Sequence, residues 1–235
     1  MNASSHEGSV SGETHIPYEG RGGSSSQEAG NLSAPLGTVT QGLLRFAGGA
    51  SRVTLHVDPT MPELFRARFV GPAPHLQVHE GTVTFRYHFS WSDLFKYAMP
   101  WGHHGVDLTL NGSIPWQLEF SGGVSDVTGD LSGLKLGAID MEGGASKLTL
   151  RLPRPSGIIP IHIHGGVSHV ALHRPLGTAA RMEIDGGAAW LTFDENRLGA
   201  VGGFTRLTSA ALEDRPSRYE IRVDGGASHI TVDTR

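Results

Sequence analysis

The sequence predicts an all-β protein, a single-stranded β-solenoid with rungs of about 21–22 residues. Three observations predict it. Six times the chain writes an alternating apolar strand, then Gly-Gly and a small residue, then another alternating strand: LRFAGGASRVTL, LEFSGGVSDVTG, IDMEGGASKLTL, IHIHGGVSHVAL, MEIDGGAAWLTF and IRVDGGASHITV. Each flank has period 2, which is strand periodicity. The middle pairs begin at Gly122, Gly143, Gly165 and Gly186, spacings of 21, 22 and 21 residues. An antiparallel β-sandwich, in which each Gly-Gly closes a two-residue hairpin, fits the same alternation, because Ile161 faces Val170 on one side in both. The near-constant spacing favours the solenoid.

Residues 1–36 are rich in Gly, Ser, Glu and Asn and poor in large apolar groups. They bury too little to offset ordering entropy and read as a disordered tail. The RGG at Arg21 occurs once and does not make an RNA-binding box. The repeat domain then runs over 37–235. Its corners are Gly48, Gly49, Gly122, Gly123, Gly143, Gly144, Gly165, Gly166, Gly186, Gly187, Gly225 and Gly226. Glycine makes positive φ cheap there, and the small residue that follows lets corners stack closely. The last interval, from Gly186 to Gly225, is 39 residues, and its surplus lies in ENRLGAVGGFTRLTSAA. The first, from Gly48 to Gly122, is 74 residues and holds irregular rungs such as VDLTLNGSIPWQLEF. Inward apolar positions recur through the units: Leu148 and Leu150, Ile161 and Ile163, Leu191 and Phe193, Ile230 and Val232.

Composition narrows the function. Nineteen Lys and Arg stand against 23 Asp and Glu, with no basic run, which excludes an electrostatic nucleic-acid binder. Cysteine is absent, so thiol catalysis, disulfides and Cys-ligated zinc are excluded. The N-terminus has no basic and apolar leader pattern, and no stretch approaches the roughly 20 apolar residues of a membrane helix. The expectation is a soluble, cytoplasmic chain, with peripheral envelope association open.

Stacking the regular units in sequence order predicts outward columns. Glu142, His164 and Asp185 form one, and Asp140, His162 and Glu183 another. With rungs about 4.8 Å apart, each His would sit between two carboxylates. That is either a metal site, since imidazole and carboxylate suit zinc-like ions, or a ladder in which His relieves repulsion between stacked acids. Columns on a flat wall diverge, which favours the ladder. A third column holds Lys147, His169, Trp190 and His229, and its exposed Trp190 marks a sugar- or protein-binding strip or a surface aromatic covering its neighbours. Residues 87–104 break the repeat, and Trp91, Phe95 and Trp101 there read as a partner or membrane-surface contact or as a cap over the first rungs. His103 and His104 lack spaced partners. The chain ends on the repeat GGASHITVDTR with no polar cap after it, which predicts a bare rung that docks on a partner or a second copy.

No G-x-S-x-G, H-E-x-x-H or P-loop phrase occurs, so no catalytic residue and no cofactor are assigned. The recurring GGAS/GGVS-x-apolar-Thr phrase, with LTLNGSIPWQLEFSGG, LRLPRPSGIIPIHI and RLGAVGGFT, resembles the "putative adhesin" toast-rack family. That bacterial solenoid group is related to the C-terminal domains of cell-wall-active antibiotic response proteins. The resemblance covers about 37–235 and implies a non-enzymatic structural or interaction module of envelope stress regulation or adhesion. A carbohydrate- or metal-binding module using the outward His and Trp columns is the first alternative. A degenerate glycan-active β-helix enzyme is the second.

Overall fold

A computed structural model describes residues 29–47, 52–70, 74–86, 105–122, 125–144, 146–210 and 216–235. The regular elements among them are seventeen strands in one sheet, with no helix. In chain order they are β1 (Ala29–Pro35), β2 (Gly42–Ala47), β3 (Val53–Asp58), β4 (Glu63–Val70), β5 (His75–His79) and β6 (Thr82–Arg86). Next come β7 (Gly105–Asn111), β8 (Pro115–Ser121), β9 (Val127–Asp130), β10 (Lys135–Glu142), β11 (Leu148–Arg151) and β12 (Ile158–His164). Last are β13 (Val167–Arg174), β14 (Ala179–Phe193), β15 (Asn196–Thr208), β16 (Arg218–Asp224) and β17 (Ala227–Thr234).

The strands build two parallel ladders. One consists of β6 and of strands that precede a Gly-Gly corner, in the spatial order β6, β2, β8, β10, β12, β16 and the first half of β14. The other runs β7, β3, β9, β11, β13, β17 and the second half of β14. Strands flanking one corner do not pair with each other: β12 bonds to β10 and β16, while β13 bonds to β11 and β17. The Gly-Gly hairpin alternative is therefore excluded at that corner. Antiparallel strands cover both ends. β15 pairs along β14 at one end; β5 on β6, and β4 then β1 on β7, occupy the other.

The spatial order of the rungs is not the sequence order. The rung β16–β17 lies between β12–β13 and β14, so the final repeat is not bare. The 39-residue interval explains this. Its surplus forms β15, the second strand of a long hairpin with β14, and the chain then returns inward to a slot with partners on both sides. Inside the slot both rows of backbone groups are paired, which an outer position would not provide. At the other end β2–β3 likewise lies between β6–β7 and β8–β9.

The inward faces of both ladders meet in one core. Leu148, Leu150, Ile161, Ile163, Leu191, Phe193, Ile230 and Val232 are all buried, as the alternation predicts. In-register neighbours stack: the Phe46 ring lies 5.2 Å from Phe85 and 5.6 Å from Phe120. The ordered chain begins before position 37. β1 pairs along β4 over Ala29–Pro35, which corrects the tail boundary, and residues 1–28 lie outside the described residues. Composition hid this strand because it uses small residues. Gly30 lies beneath Phe69, where an added Cβ would sit 2.1 Å from the ring.

Polar groups fix the far corners. Asp58 accepts from the Thr60 backbone and hydroxyl, Asn111 from those of Ser113, and Asp130 from the Ser132 backbone. Each closes a local turn just past a strand end. Asn111 is fully buried, and its Nδ2 also donates to the carbonyls of Met61 and Glu63, 2.8 Å each. Tyr219 is buried with its hydroxyl donating to the Pro153 carbonyl at 2.7 Å, and burial pushes its phenol well above the ordinary range.

Candidate interaction surface

Just after the corners at Gly165, Gly186 and Gly225 each strand carries an extra outward residue, a bulge matched on the neighbouring rung so that the register is kept. Ser168 pairs with Ser228 and Val170 with Ile230, so His169 and His229 are left over as facing bulge residues. Trp190 is skipped in the same way against β17. All three are left-handed, with φ of 56° for His169, 53° for His229 and 58° for Trp190. Histidine visits this region more readily than most residues, whereas a bulky side chain there is an outlier. A bulge turns two successive residues outward and re-aims the second.

The first outward residue of the bulge is usually serine, and its role is structural. Ser168 Oγ donates to the Ser146 carbonyl at 2.9 Å, and Ser146 Oγ to the Ser125 carbonyl at 2.5 Å. The serine of the GGAS and GGVS phrases is thus a rung-to-rung clasp. The sequence carried that signal in the recurrence of the serine in five of the six phrases, but its direction along the stack could not be read.

The second residue builds a column. In spatial order it runs Arg52, Asp126, Lys147, His169, His229 and Trp190. This corrects the predicted succession, because the inserted rung puts His229 between His169 and Trp190. Asp126 lies 3.6 Å from Lys147 Nζ and 3.9 Å from Arg52 Nε. The other half is aromatic. His169 and His229 stack at 4.6 Å and 3°, and His229 and Trp190 at 6.1 Å and 18°. Such contacts contribute about 0.5–1.5 kcal/mol each, comparable to the cost of a left-handed backbone. Trp190 remains 65% exposed.

The acid-histidine columns are also reordered. His162 lies between Asp140 and Arg222, and His164 between Glu142 and Asp224. His162 Nδ1 is 3.3 Å from Asp140 Oδ1, and His164 Nδ1 is 3.3 Å from Asp224 Oδ2. Glu183 takes Arg206 at 2.9 Å, and Asp185 is beside Asp224. Arg222 donates to Asp224 at 2.9 Å, and that bond and charge hold its guanidinium above the ordinary range. Among the described residues no three His, Asp or Glu side chains converge on one point. The geometry is that of a charge ladder, with Arg45 donating to Glu119 at 2.6 Å lower in the same column.

The corner glycines behave as a stack. Gly122, Gly143, Gly144, Gly165, Gly186 and Gly225 all have positive φ. A Cβ on Gly225 would lie 2.9 Å from the Gly165 carbonyl oxygen, and one on Gly186 would lie 2.5 Å from that of Gly225. At Gly166, Gly187 and Gly226 no backbone atom of a neighbouring rung lies closer than 3.9 Å to such a Cβ. Gly48, Gly49 and Gly123, and Trp91, Phe95, Trp101, His103 and His104, lie outside the described residues.

Residues 75–173, which span the rungs from β5 to β13, match the family described as the N-terminal domain of toast_rack, DUF2154. That segment is similar to a toast-rack domain. A crystal structure of a putative cell adhesion protein from Clostridium sporogenes superposes with a TM-score of 0.66, over 89% of this chain and 100% of that one. At 12% identity the likeness is one of fold. A putative adhesin from Bacteroides fragilis aligns over 89% and 98% of the two chains at 8% identity, with a TM-score of 0.33 that is too low to carry an argument. No curated protein sequence matches the chain. No helix among the described residues is long and apolar enough to cross a membrane.

Proposed function

We propose that the chain is a non-enzymatic interaction module of adhesion type, a rigid solenoid-like rack that displays the His169–His229–Trp190 column to a partner. The observation that carries this reading is a bulky, exposed Trp held in the left-handed region, where stacking offsets the strain and no packing need explains it. The family and the Clostridium sporogenes fold support it, and so do outward acids paired along walls rather than gathered in a cleft. Adhesion places the chain at the cell surface rather than in the cytoplasm. The purified chain should be retained on intact bacterial cells or isolated cell walls, and Trp190→His should release most of it. Equal recovery from cells and inert beads would refute the reading. A role in envelope stress regulation is the narrower proposal drawn from the family resemblance; deletion of the gene should then alter survival under cell-wall antibiotics.

A second reading places a protein partner or second copy on the β15 edge. Among the described residues β15 bonds to β14 alone, its Phe204 is 61% exposed, and Leu198, Val201 and Leu207 pack against the core only half-buried. Sedimentation at tens of micromolar should then show a dimer that Phe204→Glu dissociates.

A further inference from the structure

We infer that the outer face of Trp190 and the guanidinium of Arg197 form a binding site for an acidic saccharide, a pyranose ring bearing a carboxylate. The inference rests on the interaction-module reading and names its ligand class.

Trp190 has two ring faces with different fates. The inner face stacks on His229. The outer side borders β15, where the hairpin register runs from Ala189–Ala200 to Leu191–Leu198 and leaves Gly199 opposite Trp190. Gly199 has no side chain to cover the ring, and a Cβ built on it meets nothing within 4 Å. The platform is open by sequence, since any larger residue at 199 would stand beside it.

Arg197 supplies the second element. It pairs with Thr192, one outward position along from Trp190 on the same hairpin face. Diagonal neighbours on a sheet are about 7–8 Å apart, within reach of an arginine. Arg197 is exposed, and among the described residues its guanidinium has no hydrogen-bond or ion-pair partner, whereas Arg206, on the same strand, is held by Glu183. A free guanidinium fork is suited to bidentate capture of a carboxylate.

Together these fit one chemistry. The C–H face of a pyranose carries partial positive charge and complements the negative face of an indole. Its carboxylate meets Arg197, and its hydroxyls have Thr192 and the His229 edge as polar neighbours. An apolar protein hot spot would instead need a rim that excludes water. Here the neighbours of Trp190 on the same face are Ala189, Thr192, Gly199 and Ala200.

The test is a calorimetric titration of the full chain with a glucuronate-containing hexasaccharide, its carboxyl-reduced counterpart and a poly-glutamate peptide. The acidic hexasaccharide should bind, and the carboxyl-reduced sugar at least 10-fold more weakly. Trp190→His and Arg197→Gln should each weaken the acidic sugar at least 10-fold, with unchanged melting temperature. Trp190→His retains a residue type the bulge accepts in two other rungs, so it separates loss of the platform from loss of the fold. No binding at millimolar hexasaccharide, equal affinity for the reduced sugar, or a preference for poly-glutamate would each overturn the proposal. Cell retention in the absence of saccharide binding would overturn it alone and leave the module reading standing.

Discussion

Replacing Gly186 by alanine tests the corner stack directly. Gly186 has φ of 137°, a conformation that essentially only glycine adopts, and its Cβ would come within 2.5 Å of the Gly225 carbonyl oxygen and 2.9 Å of its carbon. Both contacts are with backbone, so a side-chain rotation cannot relieve them. The inserted rung must move away by close to an ångström, and the bond from the Gly225 amide to the Asp185 carbonyl, 2.9 Å, lies at that point. Backbone strain of about 1–3 kcal/mol and a lost or weakened hydrogen bond of about 1 kcal/mol give a destabilisation of roughly 2–4 kcal/mol. For a chain of this size that corresponds to a melting temperature lower by roughly 4–16 °C. Gly226→Ala is the control. Its φ is not positive and nothing lies within 4 Å of the added Cβ, so its stability should stay within about 0.5 kcal/mol of the parent or rise slightly. Urea unfolding followed by circular dichroism measures both. If Gly186→Ala and Gly226→Ala are indistinguishable, the corners do not stack as described.

Rung order can be read by crosslinking, because the chain has no cysteine of its own. Ser168→Cys with Ser228→Cys occupies adjacent in-register rungs and should oxidise readily. Ser168→Cys with Ala189→Cys should not, since β17 separates them by two spacings of about 4.8 Å, beyond disulfide reach. Asp194→Ala should cost about 3–5 kcal/mol in denaturant unfolding, because it leaves the fully buried Arg174 without its carboxylate. Asn111→Ala should cost about 2–4 kcal/mol, as it orphans the Met61 and Glu63 carbonyls. The Asp58 carboxyl is held below its usual range, first by the Thr60 hydroxyl and then by the Thr60 amide. The stability it contributes is therefore present above pH of about 4 and lost as pH falls through the depressed folded value. In Thr60→Val the Asp58 titration, followed by NMR, should move up toward the ordinary carboxylate range.

The all-β class, the inward ladders and the corners were legible because each rests on local chemistry that repeats. Alternation around Ile161 and Leu148 marks strand faces, and Gly165 marks a backbone that turns with positive φ. Rung order was not legible. Every rung presents nearly the same apolar face and the same corner, so the sequence at Gly225 is compatible with a place beside Gly186 on either side. The β14–β15 hairpin decides between them, and its second strand, rich in glycine and half exposed, has a weak strand signature. For the same reason the candidate site was seen as a set of residues but not as a succession. His169, His229 and Trp190 were grouped by position in the repeat; that His229 stands between the other two follows from long-range pairing. Arg197 and Gly199 were missed because they lie in the segment read only as surplus.

The inserted final rung also orders events during synthesis. β16 and β17 are made after every strand they pair with, and the slot they fill lies between strands already out of the ribosome. Until they arrive, β12–β13 and β14 each present an open parallel edge, and those edges carry near-identical repeats that can pair with one another in the wrong order. Such long-range pairing is slow and leaves strand edges exposed to other chains. A nascent chain stalled before residue 218 is thus a rack with a gap rather than a shorter rack, a species for chaperones to hold and proteases to remove.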